Sequence, residues 1–159
     1  MRLRLRFGRA AWADHEIELY PVYGGWTDPD MGFGTVRDFI ISPKGRRIEA
    51  GRISVRLGES PCTYYFGHIG YHIDFKWRGH GWAERACRLV APEFLRAGKR
   101  SVVITCDPDN QPSRKTCEHL GARLERTVDV PGEIRDRWEI SPVKCRYIWE
   151  LPAGIHEET

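Results

Sequence analysis

A glycine-containing turn stands between an aromatic, β-branched run and a helix-like run, and it restricts the fold more than any other stretch. The sequence from Asp74 to Val90 reads DFKWRGHGWAERACRLV. The first amide groups of a helix have no partner inside it and lie at the positive end of its dipole. Glycines let the backbone turn sharply near an anion, so Arg78-x-x-Gly81-x-Ala83 predicts a phosphate-binding turn between a strand and a helix.

Strand-like and helix-like segments alternate in the second half of the chain. Residues 64–73 predict a strand, and apolar residues at helical spacing predict a helix over residues 79–97. The apolar run at 101–106 predicts a buried strand, which is followed by a short helix that begins near Asn110. Two further strands are predicted at 122–130 and 144–151, separated by a polar loop or hairpin arm.

The first half of the chain reads as strands and one long loop. Residues 2–7 alternate charged and apolar side chains and predict a strand. Residues 8–34 predict a long structured loop with a short strand at 16–20. Strands are predicted at 35–42 and 47–57, joined by a PKGR turn. This order, without a repeat or a linker, predicts a single mixed α/β domain over residues 1–159.

Composition excludes several classes of protein. An apolar share of 41% and a charged share of 30% are typical of a globular chain, and a net charge of +3 is too small to predict nucleic-acid binding. No membrane-span-like run or signal-peptide core is present, so we expect a cytoplasmic protein that does not bind membranes. The five cysteines are scattered without a CxxC pair, which predicts reduced thiols and no metal site.

Two stretches carry a resemblance to a known family. They read GHIGYHIDFKWRGHGWAERA and ITCDPDNQPSRKTCEHLGARLERT. Over residues 52–127 the chain resembles the GNAT superfamily of N-acetyltransferases, and within it the branch similar to ribosomal-protein alanine acetyltransferases. The resemblance implies a central twisted mixed β-sheet of about six to seven strands with helices packed on its faces.

The resemblance also implies a cofactor site and a reaction. The implied acetyl-CoA-binding residues are Tyr71, His72 and Ile73 through their backbone, Arg78, Gly79, His80, Gly81, Trp82 and Ala83 around the pyrophosphate, and Asn110 and Ser113 on the second helix. Arg114 and Lys115 would reach the ribose phosphate. The implied reaction is direct attack of a primary amine on the thioester of acetyl-CoA, without an acyl-enzyme and without a metal.

Two residues are candidates for proton transfer. Many family members have a tyrosine seven residues after the asparagine, and here that position is Cys117. A thiol can protonate the departing thiolate, although a cysteine on a short helix can also serve only packing. His72 is the candidate base for the amine, with the alternative that it satisfies a local hydrogen bond. His68, Asp74, Glu16 and Glu118 are further available bases.

Several alternatives stay open at this point. The acceptor is a protein N-terminus or a small amine, and the oligomeric state is open, a homodimer included. The segment 8–34 either lines an acceptor pocket or merely covers a sheet face; the side chains concerned are Tyr23, Trp26, Asp28 and Asp30. Because the tyrosine is absent, the alternative function is a non-catalytic acyl-CoA-binding or sensing domain.

Overall fold

The computed structural model describes residues 7–22, 26–28 and 30–153, and for Trp26 and Asp28 it describes the backbone alone. The strand predicted at residues 2–7 therefore lies outside the described residues except for Phe7. The same holds for Tyr23 and for the side chains of Trp26 and Asp28, for which lining an acceptor pocket and covering a sheet face are the two alternatives.

Six strands within the described ranges form one antiparallel sheet. In chain order they are β1 (Trp12–Ala13), β2 (Ile17–Pro21), β3 (Trp26–Asp28), β4 (Gly34–Pro43), β5 (Gly51–Arg56) and β6 (Ile69–Ile73). Their spatial order is β1-β2-β4-β5-β6, and β3 pairs with the start of β4. Buried and half-buried residues alternate along β5, so that one face of the sheet packs on the core.

Three later strands form a second antiparallel sheet. They are β7 (Ser101–Cys106), β8 (Arg123–Asp129) and β9 (Val143–Glu150), in the spatial order β7-β9-β8. Within the described part of the chain, four α-helices connect the strands: α1 (Pro61–Phe66), α2 (Trp82–Arg96), α3 (Gln111–His119) and α4 (Gly132–Trp138). No helix in this part of the chain combines the length and the hydropathy needed to cross a membrane.

One hydrophobic core joins the two sheets through α2. Val90 and Phe94 of α2 are fully buried and belong to one cluster with strand residues from both sheets. The strand residues include Ile53 of β5, Ile104 of β7 and Trp149 of β9. Because burial of each such side chain contributes about 1.5–3 kcal/mol, this shared cluster holds the sheets together.

The sheets contact each other at the start of β6 and separate further along it. The amide of His68 donates to the carbonyl of Val103 at 2.8 Å, and the amide of Val103 donates to Nδ1 of His68 at 2.9 Å. A Cβ on Gly67 would lie 2.9 Å from the Val103 carbonyl, so glycine permits this approach. β6 is the edge strand of its sheet, and a cleft opens between it and β7.

The predicted α/β class with helices on the sheet faces is confirmed, with the strands distributed over two antiparallel sheets. Three further predictions are confirmed. They are the helix after the glycine turn, the strand at 101–106 and the helix that begins at Asn110.

The strand predicted at residues 64–73 is wrong in its first half. Residues 61–66 form α1, because Ser60 accepts a hydrogen bond from the Thr63 amide at its start and Pro61 suits the first helical turn. Gly67 ends the helix with a φ of 80°, and only then does β6 begin. The aromatic residues that indicated a strand lie on this short helix.

Two other loop predictions are also incomplete. The segment at 8–34 contains β1, β2 and β3, and the predicted short strand at 16–20 corresponds to β2. The polar segment before β9 contains α4, which carries no side-chain cap at its start and no buried residue. Short polar helices of this kind lack the apolar periodicity on which the prediction depends.

Candidate functional site

The turn before α2 presents two glycines in the left-handed region of the backbone. Gly79 has a φ of 88° and Gly81 a φ of 71°, conformations that other residues rarely adopt. A Cβ added to either glycine would have no atom within 4 Å, so both face open space. The turn is therefore shaped for backbone contact with a ligand outside it.

The amides of this turn and of the first turn of α2 are available as donors. Among the residues that the structure describes, no acceptor is found for the main-chain N–H groups of residues 79–84. Gly81 is the N-cap residue and has no side chain to cap the helix. The free donors and the helix dipole together favour an anion at this point.

Aromatic side chains of the turn and of the first residue of α2 stack on one another. The rings of Trp77 and Trp82 stack with centroids 5.5 Å apart, and the His80 ring lies 5.1 Å from that of Trp82. Trp82 is buried, and its Nε1 donates to Glu16 of the neighbouring strand segment at 3.2 Å. These side chains hold the turn in shape and leave its main-chain groups exposed.

Arg78 closes the end of β6. Its Nε donates to the carbonyl of Ile73 at 2.9 Å, and its guanidinium lies 5.8 Å from the centre of the Phe75 ring. The expected phosphate contact of Arg78 thus requires the exposed guanidinium to leave or to share the Ile73 carbonyl.

The cleft between β6 and β7 contains a cavity of about 400 Å³. Its walls come from β6, β7, α3, β9 and the α4–β9 connection. The lining residues are Arg56, Phe66, Ile69, Gly70, Tyr71, Thr105, Cys106, Asp107, Asn110, Ser113, Trp138, Glu139, Ile140, Ser141 and Lys144. Three residues expected at a cofactor, Tyr71, Asn110 and Ser113, are brought together here.

Two hydroxyl groups meet in the wall of this cavity. The Tyr71 hydroxyl lies 2.8 Å from Oγ of Ser113 on α3. Burial raises the pKa of Tyr71 well above its usual value, so the phenol keeps its proton. Asn110 begins α3, and its Oδ1 accepts from the Ser113 amide at 3.2 Å. Asn110 therefore positions the helix that carries Ser113.

His72 lies outside the cavity. Side chains alternate between the faces of a strand, so His72 faces the opposite side of β6 from Tyr71. Its side chain is 61% exposed, and Nε2 lies 3.6 Å from Oδ1 of Asp74. The backbone of His72 still belongs to the edge strand beside the cleft.

Cys117 also lies outside the cavity. Its side chain is fully buried in the hydrophobic core on α3. Burial raises the pKa of its thiol to about 12, which makes it a poor proton donor to a thiolate. In this position the thiol serves packing.

Several features of the cavity wall are not evident from sequence patterns. Arg56 and Glu139 both line it, and Glu139 ends α4 with a φ of 49°, a conformation unfavourable for glutamate by about 1–2 kcal/mol. Lys144 is paired with Asp107 at 2.6 Å. The one available signal is Gly70, since a glycine inside a strand indicates a close approach.

No cluster of metal-binding side chains occurs in the described ranges.

Both ring nitrogens of His68 have partners within the fold. Its ring is buried, with Nδ1 accepting from the Val103 amide and Nε2 2.6 Å from Oε1 of Glu59. Because Nδ1 accepts, Nε2 carries the proton. Desolvation lowers the pKa of His68, against the opposing effect of Glu59, and the ring stays neutral.

The chain was compared with known proteins. A sequence profile of the acetyltransferase (GNAT) domain matches residues 8–123. A comparison with curated proteins finds no match.

Solved structures of similar fold include several acetyltransferases. The microcin C7 self-immunity acetyltransferase MccE, in complex with acetyl-CoA and AMP, has a TM-score of 0.54 at 22% identity, covering 73% of this chain and 61% of that one. The ribosomal L7/L12 α-N-protein acetyltransferase RimL, in complex with coenzyme A, has a TM-score of 0.56 at 21% identity, covering 75% and 64%. RimJ of Mycobacterium smegmatis, in complex with a CoA disulfide, has a TM-score of 0.56 at 20% identity, covering 75% and 56%.

At identities this low, the structural similarity to these proteins shows a shared fold alone. The chain spans less than two thirds of the length of each of these three proteins.

Proposed function

Because this chain belongs to the GNAT acetyltransferase family, whose profile matches more than half of its length, we propose that it binds acetyl-CoA and transfers the acetyl group to a primary amine. The acceptor is a protein N-terminus or a small molecule. The similar folds of MccE and RimL, solved with acetyl-CoA and with CoA, support the choice of donor.

The observation that carries this proposal is the open set of amides at residues 79–84, in the turn that follows β6, whose first residues line the cavity. A diphosphate at these amides would have the helix dipole behind it. The free edge of β6 leads from there into the cavity, and the pantetheine arm would pair with it as an added strand.

In the proposed reaction, the amine nitrogen attacks the thioester carbonyl carbon. A carbon–nitrogen bond forms and the carbon–sulfur bond breaks; the amine nitrogen gives up one proton to water, and the departing thiolate takes one proton from water. The amine must first be neutral, and an α-amino group has a pKa of about 7.7–8.0. Glu139 at the cavity rim places a carboxylate where an incoming ammonium would be attracted.

On the sulfur side, the hydroxyl pair of Tyr71 and Ser113 is the proposed donor. Because the pKa of Tyr71 is raised, the phenol would donate a hydrogen bond to the departing thiolate and keep its proton. The thiolate would then take a proton from water. This role replaces the one expected for Cys117, whose thiol does not line the cavity.

The compartment is part of the proposal. Cys87, Cys106, Cys117 and Cys145 are free thiols, and all four are buried. Free thiols are typical of proteins in a reducing environment, which supports the cytoplasm as the location.

A direct test uses the wild-type chain. Calorimetry with acetyl-CoA, CoA and dephospho-CoA should give binding in the micromolar range, and release of free CoA should follow addition of a reactive primary amine. Absence of acetyl-CoA binding would overturn the proposal. Binding without CoA release across a broad panel of amines and N-terminal peptides would instead support an acyl-CoA-sensing domain, which the position of His72 and Cys117 outside the cavity favours.

A further inference from the structure

Arg56 places a cationic group in the wall of the cleft. It ends β5, and its side chain crosses the neighbouring strand β6 at Gly70. A Cβ on Gly70 would lie 2.5 Å from Nη2 of Arg56 and 3.2 Å from its Cζ, so the guanidinium lies against a bare backbone. Both residues line the cavity.

The hydrogen bonds of Arg56 go to main-chain oxygens. Nη1 donates to the carbonyls of Phe66 at 3.0 Å and Gly67 at 3.2 Å, and the ring of Phe33 lies 4.6 Å from Cζ. Among the described residues, no hydrogen bond is found for Nη2 or Nε. Desolvation lowers the pKa of Arg56, with the charge of Asp38 acting in the opposite direction.

The other charges of the wall are arranged differently. Lys144, the second cation there, forms a salt bridge with Asp107 at 2.6 Å. Arg56 is the other wall cation: among the described residues no salt bridge is found for it, and its Nη2 lies against Gly70. A guanidinium presents two parallel donors that match a carboxylate, and such pairs gain strength away from water.

We propose that the cavity takes a substrate with a carboxylate, which pairs with the guanidinium of Arg56 over Gly70. This inference rests on the proposed acyl transfer. The carboxylate belongs either to the acceptor, as in a free amino acid, or to the acyl group, as in the CoA thioester of a dicarboxylic acid. The reaction is the same in both cases, with the same bonds formed and broken.

Two arms of one experiment separate these sources. In the first, wild-type kcat/KM is measured with acetyl-CoA and a panel of free amino acids and their amides. In the second, acetyl-CoA is compared with succinyl-CoA at a fixed amine, and the binding of both thioesters is measured by calorimetry. We expect a preference of about tenfold or more for the carboxylate in one arm, because a charge-assisted hydrogen bond is stronger than one between neutral groups.

Two variants test whether Arg56 is responsible. Arg56→Met should lower kcat/KM for the carboxylate-bearing partner by about tenfold more than for its uncharged counterpart. Gly70→Ala keeps the charge but pushes the guanidinium aside, because its Cβ would meet Nη2, and it should weaken the same preference. Gly132→Ala is the matched control, since a Cβ there meets the nearest atom at an ordinary 3.7 Å.

The outcomes separate the two proposals. Loss of acetyl-CoA binding by the wild-type chain would count against the proposed function. Retained acetyl-CoA binding with no carboxylate preference in either arm overturns the inference alone. Equal loss for charged and uncharged substrates in both variants also overturns it, because Arg56 would then serve only to hold the end of α1. If Arg56→Met does not fold, the wild-type preference and Gly70→Ala decide.

Discussion

Side chains in the cleft differ in how far the fold already uses their polar atoms. The side-chain oxygen of Asn110 accepts a hydrogen bond at the start of α3, and the Tyr71 and Ser113 hydroxyls are hydrogen-bonded to each other. Arg56 uses Nη1 for main-chain carbonyls of the α1 end. Polar atoms that the fold leaves unused are the ones available to a substrate, and each can be tested by a single replacement.

Cys117→Ser should leave turnover within about threefold of wild type. The thiol is fully buried among apolar side chains, so the hydroxyl should instead destabilise the fold by about 1–3 kcal/mol. Turnover and denaturant unfolding measure the two effects, with Cys117→Ala as the control that adds no polar group. A hundredfold loss of turnover at unchanged acetyl-CoA affinity would make the cysteine the acid.

Tyr71→Phe should lower kcat by about tenfold, because it removes one hydrogen bond to the departing sulfur. Acetyl-CoA affinity should change little. The shape of the pH profile should not change, since the raised pKa keeps Tyr71 protonated throughout the working range. Tyr64→Phe, which removes a hydroxyl outside the cavity, is the control. A lost basic limb in the profile would show proton transfer from Tyr71 instead.

At the scale of elements, the turn from β6 into α2 carries the cofactor proposal. It combines two positive-φ glycines, free amides and a stacked aromatic base. None of these features requires a particular side chain to face the ligand, which is why His80 and Trp82 are compatible with an anion site. The turn acts through its backbone.

Gly81→Asp should reduce acetyl-CoA affinity by about a hundredfold or more, because it adds a carboxylate and a Cβ where the diphosphate would lie. Gly98→Asp is the matched control, with a φ of 82° and the same open space around its Cβ, at the other end of α2. Calorimetry measures both. Equal affinities in the two variants would contradict the assignment of the turn.

How much of the molecule the sequence predicts depends on the kind of element. Helix α2 follows from apolar periodicity, strand β7 from a continuous apolar run, and the turn between β6 and α2 from its glycines. α1 is missed because its aromatic residues imitate a strand, and its capping signals lie in Ser60 and Gly67 alone. His72 does not line the cavity and Cys117 is buried in the hydrophobic core, and sequence spacing did not settle where either side chain lies.

At the scale of the whole molecule, two sheets share one core and are joined beside the cleft by the hydrogen bonds between His68 and Val103. His68 joins this contact to Glu59 and, through Glu59, to Lys99 at 2.6 Å. The contact lies at the closed end of the cleft, where β6 and β7 begin to separate. The protonation state of His68 therefore affects the stability of the whole fold.

The free energy of unfolding should fall as the pH is lowered from about 6.5. The pKa of His68 is lowered in the folded state from 6.5, so the unfolded chain binds a proton first and is favoured by acid. Above pH 6.5 this stabilisation is fully present. Denaturant unfolding between pH 5 and 7.5 measures it, in a window above the range in which the lowered pKa of Glu59 contributes.

His68→Asn should flatten this dependence, because its amide oxygen still accepts from Val103 but does not titrate. The matched control is His119→Asn, at a histidine whose side chain is 68% exposed. An unchanged slope in His68→Asn would assign the acid sensitivity to other groups.

The stacked pair of Trp77 and Trp82 offers a spectroscopic handle on the site. Two indoles 5.5 Å apart couple their electronic transitions, and the resulting exciton signal in circular dichroism is distinct from the sum of isolated chromophores. This separates the pair from the remaining members of the six tryptophans. A ligand that binds the adjacent amides and tilts either ring would change the sign or size of that signal. Circular dichroism would then report occupancy of the turn without a label.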